Sequence, residues 1–147
     1  PLISPDLYRK YVKPCHRRIF QEIRKYTAAK ICVHICGSAW AFLDDFVELG
    51  VDVLNPVQTS ARDMEPKRLK DRYGKSLSFH GGIDTQHFLP GATPQEVREE
   101  ARRLIRIFGK GGGYLFTSCH SIQPDVSPEN IVALFSAAAE LGKYPRH

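Results

Sequence analysis

The chain has 147 residues, of which 42% are hydrophobic and 25% charged, a size and composition suited to one domain with a buried core. These proportions exclude a disordered chain, and no apolar run approaches the roughly 20 residues that cross a bilayer, so we expect no membrane partner. The formal charge of +5 comes from Lys and Arg residues interleaved with Asp and Glu, which is typical of solvated helix surface and predicts no nucleic-acid partner.

The cysteines and the N-terminal sequence indicate the cellular compartment of the protein. No basic and apolar leader opens the chain, and we therefore expect a cytoplasmic protein in which the four cysteines, at positions 15, 32, 36 and 119, are thiols. The chain begins at Pro1 with no initiator Met, which favours a segment of a longer polypeptide. Residues 1–147 are predicted to form a single domain.

The apolar pattern predicts one long helix followed by four strand and helix units. The first helix begins after the N-cap Ser4 and runs to about Ala28, with a kink expected at Pro14. The predicted strands are Lys30 to Cys36, Val51 to Leu54, Leu77 to His80 and Tyr114 to Thr117. The helices that follow them are Ala39 to Leu49, Pro66 to Tyr73, Pro94 to Phe108 and Pro128 to Leu141. Gly81 and Gly82 are expected to break the third strand.

This α(βα)4 order predicts an α/β protein with a parallel sheet, because each helical crossover returns the chain to the same edge. The carboxyl ends of all four strands then lie on one face, which in (βα) barrels carries the active site. Four βα units are half of a TIM (βα)8 barrel, and an open sheet of this kind leaves two edges exposed. We therefore expect a missing N-terminal half, or a second copy in a homodimer, to complete the barrel.

Three residues at predicted strand ends are candidate metal ligands. His34 and Cys36 alternate with Ile35 on the first strand and so project to one side, and Cys119 follows the fourth strand. One imidazole and two thiolates suit zinc, whose catalytic sites keep three protein ligands and leave a position open for water or substrate. A thiol bound there loses its proton and becomes a nucleophile at neutral pH. The alternative is that the pair packs in the barrel core, as we expect for Cys32.

Polar residues and glycines near two other strand ends are candidate catalytic or substrate contacts. His80 is suited to a general acid, general base or substrate-orienting role, and Asp84 would either orient it or cap the following turn. The glycines of Gly81-Gly82 allow a substrate to approach the backbone closely. Asn55 and Gln58 offer neutral hydrogen-bonding groups, for which ligand contact and loop bracing both remain open.

Several motifs, in a specific order, carry a resemblance to a known family. They are the Ser4-Pro5 helix, His34-Ile35-Cys36-Gly37-Ser38, Gly50-Val51-Asp52, His80-Gly81-Gly82-Ile83-Asp84, Gly112-Gly113-Tyr114 and Pro124-Asp125-Val126-Ser127-Pro128-Glu129-Asn130. With these motifs the chain resembles the C-terminal half of the uroporphyrinogen decarboxylase (URO-D) superfamily over nearly its whole length. The branch it resembles most is that of cobamide-dependent methyltransferases of the methylcobamide:coenzyme M type.

The resemblance implies a distorted (βα)8 barrel in which a His-x-Cys pair and a later Cys hold zinc, and these match His34, Cys36 and Cys119. It further implies methyl transfer from a methylcobamide, carried by a corrinoid protein as partner, to a small thiol. Zinc would deprotonate the thiol, and its sulfur would then attack the cobalt-bound methyl group. In this interpretation His80 and Asp84 line the acceptor pocket.

The chain departs from the family pattern in two ways. Val57-Gln58 stands where some of these methyltransferases have an acidic residue, so no fourth protein ligand is expected from that loop. The first half of the barrel is absent, and with it the Arg and Asp residues by which the decarboxylases bind porphyrinogens. Two alternatives follow: metal-free decarboxylation of a uroporphyrinogen-like tetrapyrrole, and a truncated half-barrel that binds a partner without turnover.

Overall fold

The structure, a computed structural model, describes residues 2–143, in which strands and helices alternate as predicted. The strands are β1 (Cys32–His34), β2 (Val53–Val57), β3 (Ser78–Ile83) and β4 (Tyr114–Ser118). The α-helices are α1 (Pro5–Leu7), α2 (Lys13–Tyr26), α3 (Leu43–Glu48), α4 (Pro66–Tyr73), α5 (Pro94–Phe108) and α6 (Pro128–Leu141). A π-helical turn (Tyr8–Val12) joins α1 to α2, and a 3-10 turn (Trp40–Phe42) precedes α3.

The four strands form one parallel sheet in the order β1-β2-β3-β4, which confirms the predicted topology. Consecutive strands are neighbours, and each connection carries a helix, as in half of a (βα)8 barrel. The carboxyl ends of the strands therefore lie side by side. Across residues 2–143, no helix has both the length and the apolar character that a membrane span requires.

The first helix differs from the predicted continuous helix with a kink at Pro14. Proline has no N–H to donate within a helix, and the preceding residues adopt a π-helical turn in which the N–H of Lys13 reaches the carbonyl of Tyr8. The helix is tied to α3 by ion pairs, because both Arg9 and Lys13 bond to the buried carboxylate of Asp45. These bonds hold the first helix against α3.

Two strands continue beyond the ends predicted for them. Strand β2 runs through Asn55 to Val57, past a cis Asn55–Pro56 bond and a shift of register, so Asn55 lies within the strand rather than at its end. Strand β3 continues through Gly81 and Gly82, which were expected to break it. Both glycines have φ near +110°, a conformation that other residues rarely adopt, yet they keep their pairing with β4.

The core lies between the sheet and its helices. Its largest fully buried side chains include Phe46, Leu54, Phe79, Leu104 and Phe108. A buried polar residue, Asn130 at the start of α6, donates from its side-chain amide to the carbonyls of Leu89 and Ala92 at 2.9 and 2.7 Å. Those bonds fix the connection between β3 and α5, which follows the candidate site residues of β3.

Candidate active site

A continuous row of polar side chains crosses three adjacent strands, from the end of β1 to positions within β2 and β3. Cys36, His34, Asn55 and His80 follow one another from the edge strand β1 to β3. The register of the sheet explains the row, because His34 pairs directly with Asn55, and the N–H of Ile35 donates to the Asn55 carbonyl at 2.7 Å. Side chains at matched positions of parallel strands project to the same face.

The row is held by direct contacts. The Sγ atom of Cys36 lies 3.4 Å from Nε2 of His34, whose Nδ1 lies 2.6 Å from Oδ1 of Asn55. The amide nitrogen of Asn55, Nδ2, bonds to Nδ1 of His80. His34 and Cys36 are exposed at the surface, while Asn55 and His80 are half-buried. The row thus connects the predicted metal ligands of β1 to the predicted catalytic residue of β3.

Cys119 belongs to the same end of the sheet, but in the structure it makes other bonds. It is buried, its backbone N–H donates to the Ile83 carbonyl at 2.8 Å, and its thiol donates to the Val57 carbonyl at 2.9 Å. The pKa of Cys119 is raised to about 11, mainly by burial and to a smaller extent by negative charge on Asp84 and Cys36. Cys119 is therefore a protonated thiol near neutral pH in this arrangement.

The donor set fits zinc in part. Two ligands at tetrahedral positions on one zinc, with bonds of roughly 2.0 and 2.3 Å, lie about 3.5 Å apart, and the 3.4 Å between Nε2 of His34 and Sγ of Cys36 matches this spacing. Across residues 2–143, however, no three His, Cys, Asp or Glu side chains are grouped in a way that could hold a metal ion. The thiol of Cys119, the third predicted ligand, bonds to the Val57 carbonyl instead.

Asp84 holds the turn that follows β3. Its carboxylate accepts the backbone N–H groups of Gln86 at 2.8 Å and His87 at 3.2 Å, and the hydroxyl of Ser60 also bonds to it. Burial by itself would raise the pKa of Asp84, but these three hydrogen bonds outweigh it and hold the pKa below its usual range. Two roles were predicted for Asp84, and the structure supports capping of the turn rather than orientation of His80.

The remaining predicted contacts brace loops in this structure. Gln58 accepts the N–H of Gly37 at 2.8 Å through Oε1, which ties the loop after β1 to the end of β2. A Cβ atom at Gly82 would lie 2.6 Å from the hydroxyl of Tyr114, and one at Gly81 would lie 3.1 Å from the backbone nitrogen of Val57. Packing against neighbouring strands thus explains both glycines, and their predicted role in substrate binding stays a prediction.

An apolar groove of about 630 Å³ opens beside the outer end of the row. Tyr8, Val12 and Phe42 line it on the helical side, and His34 and Cys36 on the side of the sheet. A small apolar molecule or segment in this groove would lie directly against the thiol and the imidazole.

Sequence reasoning missed two residues of the loop after β2. Ser60 bonds to Asp84, and the hydroxyl of Thr59 donates to the Gly82 carbonyl at 3.0 Å. Their signal was the polar run of residues 58–60 directly after a buried strand. Such runs at the carboxyl ends of parallel strands commonly line functional sites.

Comparison with known proteins assigns the chain to a family. The model of the family described as uroporphyrinogen decarboxylase (URO-D) matches residues 1–141. A uroporphyrinogen decarboxylase of Pseudomonas fluorescens is 29% identical over 143 residues, which are 95% of this chain and 38% of that protein. One of Magnetococcus marinus is 31% identical over 102 residues, which are 69% of this chain and 27% of that protein.

A solved structure supports the fold. A methyltransferase from Methanosarcina mazei superimposes with a TM-score of 0.73 at 22% sequence identity, over 96% of this chain and 39% of that one. The chain thus spans about two fifths or less of the length of each of these proteins. Because the family model covers nearly all of the sequence and the fold agrees, the chain belongs to the uroporphyrinogen decarboxylase family.

Proposed function

We propose that this chain carries the metal-binding half of a methyltransferase that moves a methyl group from a methylated corrinoid to a thiol. Zinc is the proposed metal and His34, Cys36 and Cys119 are its proposed ligands. The corrinoid is proposed to arrive on a partner protein. The remainder of the barrel, supplied by a longer polypeptide or by a second copy of the chain, would close the site.

The observation that carries this proposal is the pair formed by His34 and Cys36. An imidazole nitrogen and a thiol sulfur 3.4 Å apart, both exposed and at the carboxyl end of a strand, match two positions of one zinc tetrahedron. Metal-free decarboxylation of a porphyrinogen does not require two side chains at this metal-binding spacing. The Methanosarcina mazei protein of similar fold is named a methyltransferase, which agrees with this choice.

Each residue of the site has a defined part in the proposed reaction. His34 and Cys36 offer Nε2 and Sγ to the metal, and Asn55 holds the His34 ring in place through Nδ1. Zinc, when bound, would keep a coordinated thiol deprotonated near neutral pH. A methylated corrinoid, when bound, would supply the methyl group to the acceptor sulfur, and the electron pair of the broken cobalt–carbon bond would stay on cobalt. His80 contacts the acceptor, while Asp84 holds the adjacent turn.

Cys119 must change its bonding for the set of three ligands to be complete. Its thiol has to leave the Val57 carbonyl and lose its proton, against a pKa raised to about 11 by burial. A neighbouring zinc ion supplies the positive charge that favours this ionisation. We therefore propose that His34 and Cys36 are arranged before the metal binds and that Cys119 joins them on binding.

Decarboxylation of a uroporphyrinogen-like tetrapyrrole is the second candidate function. The relatives in Pseudomonas fluorescens and Magnetococcus marinus are both named uroporphyrinogen decarboxylases, and this favours it. In such a reaction the row from Cys36 to His80 would contact the tetrapyrrole without any metal. A half-barrel that binds its partner without turnover is the third candidate.

Parallel assays on the polypeptide that carries this chain separate these functions. We expect methylcobalamin and a small thiol to yield the methyl thioether, and the rate to fall about 100-fold or more in His34→Ala and Cys36→Ser variants, because each removes a metal ligand. Cys32→Ser is the matched control, since Cys32, which was expected in the core, instead lies exposed on the same strand outside the row. Loss of carboxyl groups from uroporphyrinogen, unaffected by these substitutions, would instead support decarboxylation.

A further inference from the structure

One amide side chain contacts two histidines in this site. Oδ1 of Asn55 lies 2.6 Å from Nδ1 of His34, and Nδ2 of Asn55 bonds to Nδ1 of His80. Both imidazoles therefore use the same ring atom, Nδ1, toward the two different ends of one amide. The remaining nitrogen of each ring, Nε2, makes no bond to Asn55.

The two ends of an amide have fixed and opposite hydrogen-bonding roles. An amide oxygen only accepts and an amide nitrogen only donates, whereas a neutral imidazole carries its single proton on either nitrogen. Nδ1 of His34 must therefore carry a proton in order to donate to Oδ1 of Asn55. Nδ1 of His80 must lack one in order to accept from Nδ2, so its proton is on Nε2.

We propose that Asn55 is a positioning residue that fixes His34 and His80 in opposite tautomers. His34 has its proton on Nδ1 and presents the lone pair of Nε2 to Cys36 and to the metal. His80 has its proton on Nε2 and presents a hydrogen-bond donor. The statement about the metal rests on the proposed function, while the two tautomers follow from the hydrogen bonds alone.

The contact between His34 and Cys36 supports this orientation of the amide. With the proton on Nδ1, Nε2 of His34 can accept the S–H of Cys36 across their 3.4 Å separation. The opposite orientation would place an N–H of His34 against sulfur, which is a weak acceptor. The backbone supports the arrangement too, because Asn55 is held within β2, directly opposite His34 in the register.

The tautomer of His80 restricts what can bind next to it. A ring with N–H at Nε2 donates to an acceptor and cannot ligate a metal through that atom. Within residues 2–143 no group bonds to Nε2 of His80. A group that binds this N–H must be a hydrogen-bond acceptor, such as a carbonyl or anionic oxygen.

Nitrogen NMR of the histidine side chains in the metal-free protein tests this proposal. Two-bond and three-bond correlations to the ring carbon protons distinguish the two neutral tautomers, at a pH where titration shows both rings to be neutral. We expect the Nδ1–H form for His34 and the Nε2–H form for His80. Signals are assigned by their disappearance in His34→Gln and His80→Gln variants.

Two substitutions of Asn55 give distinct outcomes. Asn55→Asp replaces the donor end by a second acceptor, so His34 keeps its proton on Nδ1 and neutral His80 changes to the Nδ1–H form. Asn55→Leu removes both bonds at similar size, and both rings then adopt the tautomer mixture of a solvated imidazole. His16, whose Nδ1 contacts the hydroxyl of Tyr8 at 3.2 Å, is the internal control and should not change in either variant.

The proposal is overturned if wild-type His34 has its proton on Nε2. It is also overturned if His34 and His80 each keep their wild-type tautomer in Asn55→Leu. A separate zinc titration keeps the proposed function apart from this result. If zinc binds, we expect Asn55→Leu to weaken it about 10–100-fold, the range usual for loss of a bond that orients a ligating histidine. If the wild-type protein binds no zinc while the tautomers are as stated, the proposed function fails and the tautomer assignment stands.

Discussion

At the scale of single residues, two identical side chains differ in reactivity because their surroundings differ. Cys36 and Cys119 are both cysteines at the carboxyl end of the sheet, but Cys36 is exposed beside an imidazole and Cys119 is buried against a carbonyl. A buried thiolate loses its hydration, and this raises the pKa of Cys119 to about 11. Without metal, only Cys36 of this pair is open to reagents.

Alkylation by iodoacetamide, read by peptide mass spectrometry, tests this difference. Roughly one Cys119 side chain in a thousand is ionised at pH 8, and burial slows reaction further, so we expect Cys119 to react at least about 100-fold more slowly than Cys15 or Cys36. Reaction of Cys119 should accelerate as pH rises toward 11. Added zinc should protect Cys36 and leave the exposed Cys15 reactive.

Equal labelling of Cys36 and Cys119 at pH 8 in the folded protein would contradict the burial of Cys119. Labelling in denaturant is the control, since all four cysteines should then react alike.

At the scale of secondary-structure elements, the order of strands and helices could be predicted and several ends could not. Alternating apolar runs predicted four strands with a helix after each, and all four form one parallel sheet. The second strand was predicted to end at Leu54, and the glycines at 81 and 82 were expected to break the third, but the sheet continues at both places, with a register shift in β2 and positive φ angles in β3. Those conformations depend on neighbouring strands, which a single sequence does not display.

Asp52 fastens the first helix and the edge strand to the rest of the sheet. Its carboxylate accepts the backbone N–H of Ile31 at 2.8 Å and pairs with Arg24 and Lys30. Partial burial alone would raise the pKa of Asp52, but the Ile31 hydrogen bond and the two cations lower it below its usual range. The charged form is therefore favoured by folding.

We expect Asp52→Asn to lower the free energy of unfolding by about 1 kcal/mol at pH 7, because the amide keeps the bond to Ile31 and loses the ion pairs. A depressed folded-state pKa stabilises the protein above the unfolded pKa, about 4, and this contribution disappears as pH falls through the folded value. The difference between variant and wild type in urea unfolding should accordingly vanish at acidic pH.

Asp71→Asn is the matched control for Asp52→Asn, because Asp71 forms an exposed pair with Lys67 within one helix. It should leave the unfolding free energy nearly unchanged at every pH. An Asp52→Asn effect that is the same at pH 3 and pH 7 would show that charge is not its cause.

At the scale of the whole molecule, the chain is half of a barrel by sheet topology and by comparison. It spans 38% of the Pseudomonas fluorescens decarboxylase and 39% of the Methanosarcina mazei methyltransferase. Apolar side chains remain exposed on the last strand and the last helix, notably Leu115 on β4 and Val132 and Phe135 on α6. Completion of the barrel by another half or by a second copy stays a prediction.

The sequence predicts which strands carry the site residues, but it does not predict the hydrogen bonds between those residues. Strand alternation and parallel topology predicted that His34, Cys36 and His80 lie close together at strand ends; the structure brings them into one row, but His80 lies within β3 rather than at its end. The bridge through Asn55 depends on register, and the bond of Cys119 to the Val57 carbonyl depends on its side-chain conformation. Neither register nor conformation follows from residue spacing.

The most direct test of the central claim is the zinc content and ligand set of the purified protein, measured by metal analysis together with zinc X-ray absorption. We expect about one zinc per chain with two sulfur ligands and one imidazole, one sulfur fewer in Cys119→Ser, and no change in Cys32→Ser. Protein that binds no zinc, or zinc whose sulfur count is the same in Cys119→Ser as in the wild type, would contradict a shared metal site.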